Sequence, residues 1–128
     1  HHPLKGVERM RELGYPEEIL HAVLAHREEF TGVQPESDLD RVLYACDELS
    51  GLVFACCLVR PTGIDDLTPK SVVKKLKDKA FAAGVDRNDV EKGLGLIGVE
   101  RNQHIQNVID GMRAVGAELG IRGVDLQK

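Results

Sequence analysis

Apolar residues recur along this chain at spacings of three and four, with polar residues between them. Leu4, Val7 and Met10 follow Pro3 at intervals of three and stop before Gly14. At about 100° per residue, that spacing puts them on one side of a helix. Pro16 opens a second helix, with Glu17 and Glu18 near its positive end. Ile19, Leu20, Val23, Leu24 and Phe30 share one side of it, and residues 31–35 (TGVQP) break it. Ser37 with Asp40 resembles a capping box and starts a third helix that runs to about Val59. Its apolar residues are Leu39, Val42, Leu43, Cys46, Leu49, Val53, Phe54 and Cys57, a wide face that marks it as the central helix. Residues 60–63 (RPTG) end it.

Thr68-Pro69 predicts the next start and Gly84 its stop; Asp86 caps a fifth helix reaching Ile97. The last covers Glu100 to Leu119, with Ile105, Val108, Ile109, Met112, Val115 and Leu119 buried. No alternating run of β-branched residues argues for a sheet. The pattern predicts an all-α protein of about six helices. Residues 1–128 form one helical domain, with 121–128 as a frayed tail.

Composition narrows the function classes. The 128 residues carry a formal net charge of −4, which disfavours a broadly basic nucleic-acid footprint. The longest apolar run, residues 52–59 (LVFACCLV), falls well short of the roughly 20 residues of a membrane span. No nucleic-acid or membrane partner is expected. Three cysteines, with Cys56 and Cys57 adjacent, make no disulfide framework and point to a reducing, cytoplasmic setting. They are expected to pack as small apolar groups.

Candidate chemistry lies where polar residues interrupt an apolar face. On the second helix, His26 falls about 20° from Ile19, on the inward side, whereas His21 falls about 200° away. On the third, Asp47 falls about 80° from Leu39, beside Leu43 and Phe54, and Glu48 falls about 180° away, toward solvent. A half-buried carboxylate needs a cation, a donor or a metal. Imidazole and carboxylate together suit a divalent transition metal. The competing readings are a hydrogen-bonded core histidine and a capping or ion-paired aspartate. His104 reads as a surface residue. The run Lys70, Lys74, Lys75, Lys77 and Lys79 reads either as a solvated face or as a guide for an anionic substrate.

The same residues carry a resemblance. His2-Pro3-Leu4-Lys5-Gly6, Leu13-Gly14-Tyr15-Pro16, residues 19–26 (ILHAVLAH), residues 45–49 (ACDEL) and residues 77–85 (KDKAFAAGV) resemble the later part of HD-domain metal-dependent phosphohydrolases. The likeness is to a subfamily of small bacterial predicted hydrolases, and it runs from His2 to about Met112. It implies an HD-like helical bundle in which His2 and His26 match intermediate metal-ligating histidines and Asp47 the late aspartate. The metal implied is manganese, iron, zinc or a similar divalent ion. The family's adjacent His-Asp pair and its early histidine have no counterpart here. The resemblance therefore implies a chain that begins after the helices bearing them, N-terminally truncated and incomplete as a catalyst.

The activity implied is hydrolysis of a phosphate ester in a small phosphorylated or nucleotide-like substrate by metal-activated water. Lys5, close after His2, becomes a candidate phosphate contact, with a solvated surface lysine as the alternative. Arg27 is a weaker candidate for that role. The other reading of the chain is a non-catalytic helical module. Apolar helix faces left without their upstream neighbours would drive homo-oligomer formation.

Overall fold

A computed structural model of the protein describes residues 2–123. Among these residues the elements are α1 (Leu4–Glu12), α2 (Glu17–Ala25), α3 (Glu28–Thr31), α4 (Asp38–Leu58), α5 (Pro69–Lys77), α6 (Arg87–Ile97), α7 (Arg101–Ala114) and α8 (Gly116–Leu119). The class is all-α, and no described helix is long and apolar enough to cross a membrane.

The helix starts follow local chemistry. The Ser37 side chain accepts from the Asp40 amide, and the Asp40 side chain accepts in return from the Ser37 amide, which completes a capping box at the head of α4. Thr68 caps α5 with Pro69 in its first turn, Asp86 caps α6, and the Glu100 side chain caps α7.

Two predicted helices are divided. Arg27 leaves helical geometry, so the second predicted helix becomes α2 and α3. That break swings Phe30 out of phase with Leu20, and Phe30 is exposed. The last predicted helix breaks at Val115, and both Val115 and Leu119 are exposed. The fourth ends at Lys77, not near Gly84. Beyond it the Arg87 guanidinium donates to the carbonyls of Asp78, Phe81 and Ala82 at 3.0, 2.6 and 2.7 Å. A charged donor inside the turn takes the place of further helical bonds.

The 21-residue α4 is the axis of the molecule, packed by α2, α5, α6 and α7. Its buried side is Ala45, Leu49, Leu52, Val53, Cys56 and Cys57. All but Ala45 join Val72, Val90, Ile105 and Ile109 in the main core. The predicted stripe meets this side at Leu49, Val53 and Cys57 and departs from it elsewhere. Leu39, Val42 and Phe54 are exposed, because an apolar arc that wide does not by itself say which flank turns inward. α6 crosses α4 closely at Gly93, where a Cβ would stand 2.7 Å from the Ala45 Cα.

A clasp closes the core beyond α8. The Ile64 amide donates to the Ile121 carbonyl at 2.8 Å, and Gly63 pairs with Arg122 as an isolated bridge. Gly63 has a positive φ, and a Cβ there would meet the Ile121 oxygen at 2.1 Å, so only glycine fits. Ile121 is buried, and the Gly123 amide donates to Asp65 at 3.0 Å. Residues 121–123 are therefore held rather than frayed. The remainder of the expected tail, 124–128, lies outside the described residues.

Candidate functional site

Pro3 and Val7 are buried, which seats the start of α1 against α2 and fixes where His2 stands. His26 is the residue that ends α2; its amide donates to the Ala22 carbonyl at 3.1 Å. The two imidazoles meet edge to face, with centroids 5.0 Å apart and Nε2 to Nε2 at 3.0 Å. The other ring nitrogen of His26, Nδ1, contacts the Val23 carbonyl. A proton on Nδ1 serves that contact and leaves the Nε2 lone pair facing His2.

That geometry suits a metal ion as well as a hydrogen bond. Two nitrogens each about 2.0–2.1 Å from one ion at a right angle stand about 2.9 Å apart. A ligating histidine typically donates its other N–H to a carbonyl or carboxylate, as His26 does to Val23.

Asp47 does not join them. It is exposed, and no group of three or more His, Cys, Asp or Glu residues among those described is arranged to hold a metal. Asp47 lies two residues before Leu49, about 200° around α4 from the core side. The half-buried acid is instead Glu48, which accepts from the Asp86 amide at 3.1 Å. The orientations expected for Asp47 and Glu48 are thus exchanged, for the reason that displaced the α4 stripe. Lys5 is exposed in the first turn of α1, three positions after His2, with no polar partner among the described residues.

The buried carboxylate of this region is Asp40, which has no exposed surface. Its Oδ2 accepts from the Glu36 amide at 2.9 Å, the Ser37 amide at 3.1 Å and His21 Nδ1 at 2.6 Å. Burial pushes its pKa up, but these bonds together outweigh burial and hold the carboxyl below the ordinary aspartate value. Asp40 Oδ1 is buried without a partner. His21, placed outward by the helical phase, is half-buried and turned onto Asp40, with its Nε2 3.8 Å from Glu36. The capping box announces Asp40 at the head of α4. The phase of α2 alone does not announce its pairing with His21.

His104 is also inside, 5% exposed, with Nε2 donating to the Ala45 carbonyl at 2.9 Å. It shares the buried side of α7 with Ile105 and Val108, so its expected surface position is corrected. It borders a groove of about 680 Å³ between α4, the end of α6 and α7, with Val42, Cys46, Ile97 and Met112 among its walls. None of His2, His26 or Asp47 lines that groove. Burial pushes the thiols of Cys46, Cys56 and Cys57 up, which leaves them neutral packing groups. No protein-family model matches the sequence, and no curated protein or solved structure matches it either.

Proposed function

We propose that the protein is a metal-dependent phosphohydrolase of the HD type, with His2 and His26 holding a divalent transition metal. The observation that carries this reading is the 3.0 Å approach of the two Nε2 atoms across 24 residues of sequence, with His26 Nδ1 turned onto the Val23 carbonyl. Imidazole Nε2 pairs of this kind suit manganese, iron or zinc. Such an ion supplies Lewis acidity toward a phosphate ester and an activated water.

The chain's own residues do the rest. Val23 holds His26 in one tautomer. Pro3 and Val7, both buried, seat the start of α1 beside α2. Lys5, in the next turn, offers an ammonium to a phosphoryl oxygen of a small phosphorylated or nucleotide-like substrate.

Elemental analysis after reconstitution with manganese, iron or zinc, together with hydrolysis of p-nitrophenyl phosphate, tests this. Stoichiometric metal that is lost in His26→Ala supports it. Neither bound metal nor turnover under any of the three ions would sink it.

A second reading has its own observation. Leu39 and Val42 at one end of α4, and Phe54 and Leu58 at the other, are exposed. Exposed apolar side chains at both ends of the central helix favour association with a second copy of the chain. Light scattering across micromolar concentrations checks it: a monomer throughout rules it out.

A further inference from the structure

The far end of α4 from His26 carries a small pocket of about 200 Å³, lined by Cys56, Arg60, Leu67, Ser71, Lys74 and Lys75. Its apolar part is Cys56 and Leu67, both buried. The rest is three cations and a hydroxyl. In a chain of net charge −4, that local excess of positive charge stands out. Arg60 gives Nη2 to Asp66 at 2.8 Å, and its Nη1 has no protein acceptor among the described residues. Asp66 is the one carboxylate paired with these cations; neither Lys74 nor Lys75 has an acidic partner among the described residues.

Lys75 is not loose. It is half-buried, and its Nζ sits 4.6 Å over the Phe81 ring. Arg87 in turn holds the carbonyls of both Phe81 and Lys75, at 2.6 and 3.3 Å. The Lys75 charge, in the last turn of α5, is thus held against the turn that follows it. Burial pushes the Cys56 thiol up, while the Arg60 and Lys75 charges pull it the other way, so their field reaches the pocket floor. Like charges brought together repel, and an arrangement of this kind falls in energy when an anion enters it.

We propose that this pocket binds a phosphate group, held by Arg60, Lys75 and the Ser71 hydroxyl, with Lys74 at the mouth. Arg60 and Lys75 supply charge-assisted donors, and guanidinium and ammonium are the usual partners of phosphate oxygens. Size narrows the ligand. A pocket of about 200 Å³ has room for roughly six waters by volume and lies below the range of about 300–1,000 Å³ typical of organic ligand sites. A phosphate fits inside; a nucleoside attached to it would lie outside, past Lys74.

The test is titration of the full chain, metal-free in chelator, with inorganic phosphate and separately with glycerol phosphate. Ionic strength is held constant, and amide shifts and heat are the readouts. Saturable shifts centred on Ser71, Lys74 and Lys75 are expected with both ligands. Lys75→Gln should weaken binding at least about tenfold and Lys74→Gln about threefold. Lys92→Gln, outside the pocket, should leave it unchanged. Because Lys74 is exposed, its replacement leaves the fold intact whatever Lys75→Gln does. His26→Ala should bind phosphate as the parent does, which separates this site from the metal reading. No saturation, the same response to chloride, or equal affinity in the Lys74 and Lys75 variants would overturn the proposal.

Discussion

His21 Nδ1 lies 2.6 Å from Oδ2 of Asp40, a carboxylate without exposed surface at the head of the central helix. The contact ties α2 to the start of α4 through a charged acceptor that also closes the capping box. Because Asp40's carboxyl is held below its ordinary value when folded, the unfolded chain takes up its proton first. Its contribution is fully present above the unfolded value of about 3.9 and is lost as pH falls toward the lower folded value. Asp40→Asn should cost about 2–3 kcal/mol at neutral pH. The stability of that variant should also fall less than the parent's as pH drops below 5, as read by urea denaturation at each pH.

The crossing of α6 over α4 offers a second test. A Cβ on Gly93 would press on the Ala45 backbone at 2.7 Å, and neither helix can yield without moving the core. Gly93→Ala gains helix propensity of about 1 kcal/mol but loses more to overpacking, for a net destabilisation of about 1–3 kcal/mol in a chemical melt.

Arg87 organises the turn after α5 by donating to six backbone carbonyls between Lys75 and Val85. A lysine has the charge but not the planar fork. Arg87→Lys should therefore speed hydrogen exchange at amides 79–85 at least about tenfold, while amides of α4 keep most of their protection.

Asp47 separates folding from ligation. It is exposed, so Asp47→Ala should change stability by less than about 0.5 kcal/mol. Because Asp47 stands apart from His2 and His26, the variant should also keep its bound metal. Thermal melting alongside metal analysis gives both readouts.

The helices were readable where local chemistry decides them. Ser37, Thr68-Pro69 and Asp86 mark their own helix starts in the sequence, and each acts as read. The rotation of a helix is a different matter. On α4 apolar residues cover most of the circumference, so which flank is buried depends on where α6 and α7 land. Asp47 and Glu48 exchanged places for that reason. His104 was hidden because its partner is a backbone carbonyl of Ala45, 59 positions away, and such an acceptor leaves no mark in side-chain pattern. The approach of His2 to His26, 24 positions apart, is announced by no periodicity.

The clasp between Ile64 and Ile121 also sets an order of assembly. The Ile121 carbonyl that takes the Ile64 amide is made only after α5, α6 and α7, so during synthesis the core around α4 stays unclasped on that side until residue 121 emerges. A chain halted before residue 121 would carry every major helix and still present an unfinished, apolar opening to whatever lies nearby.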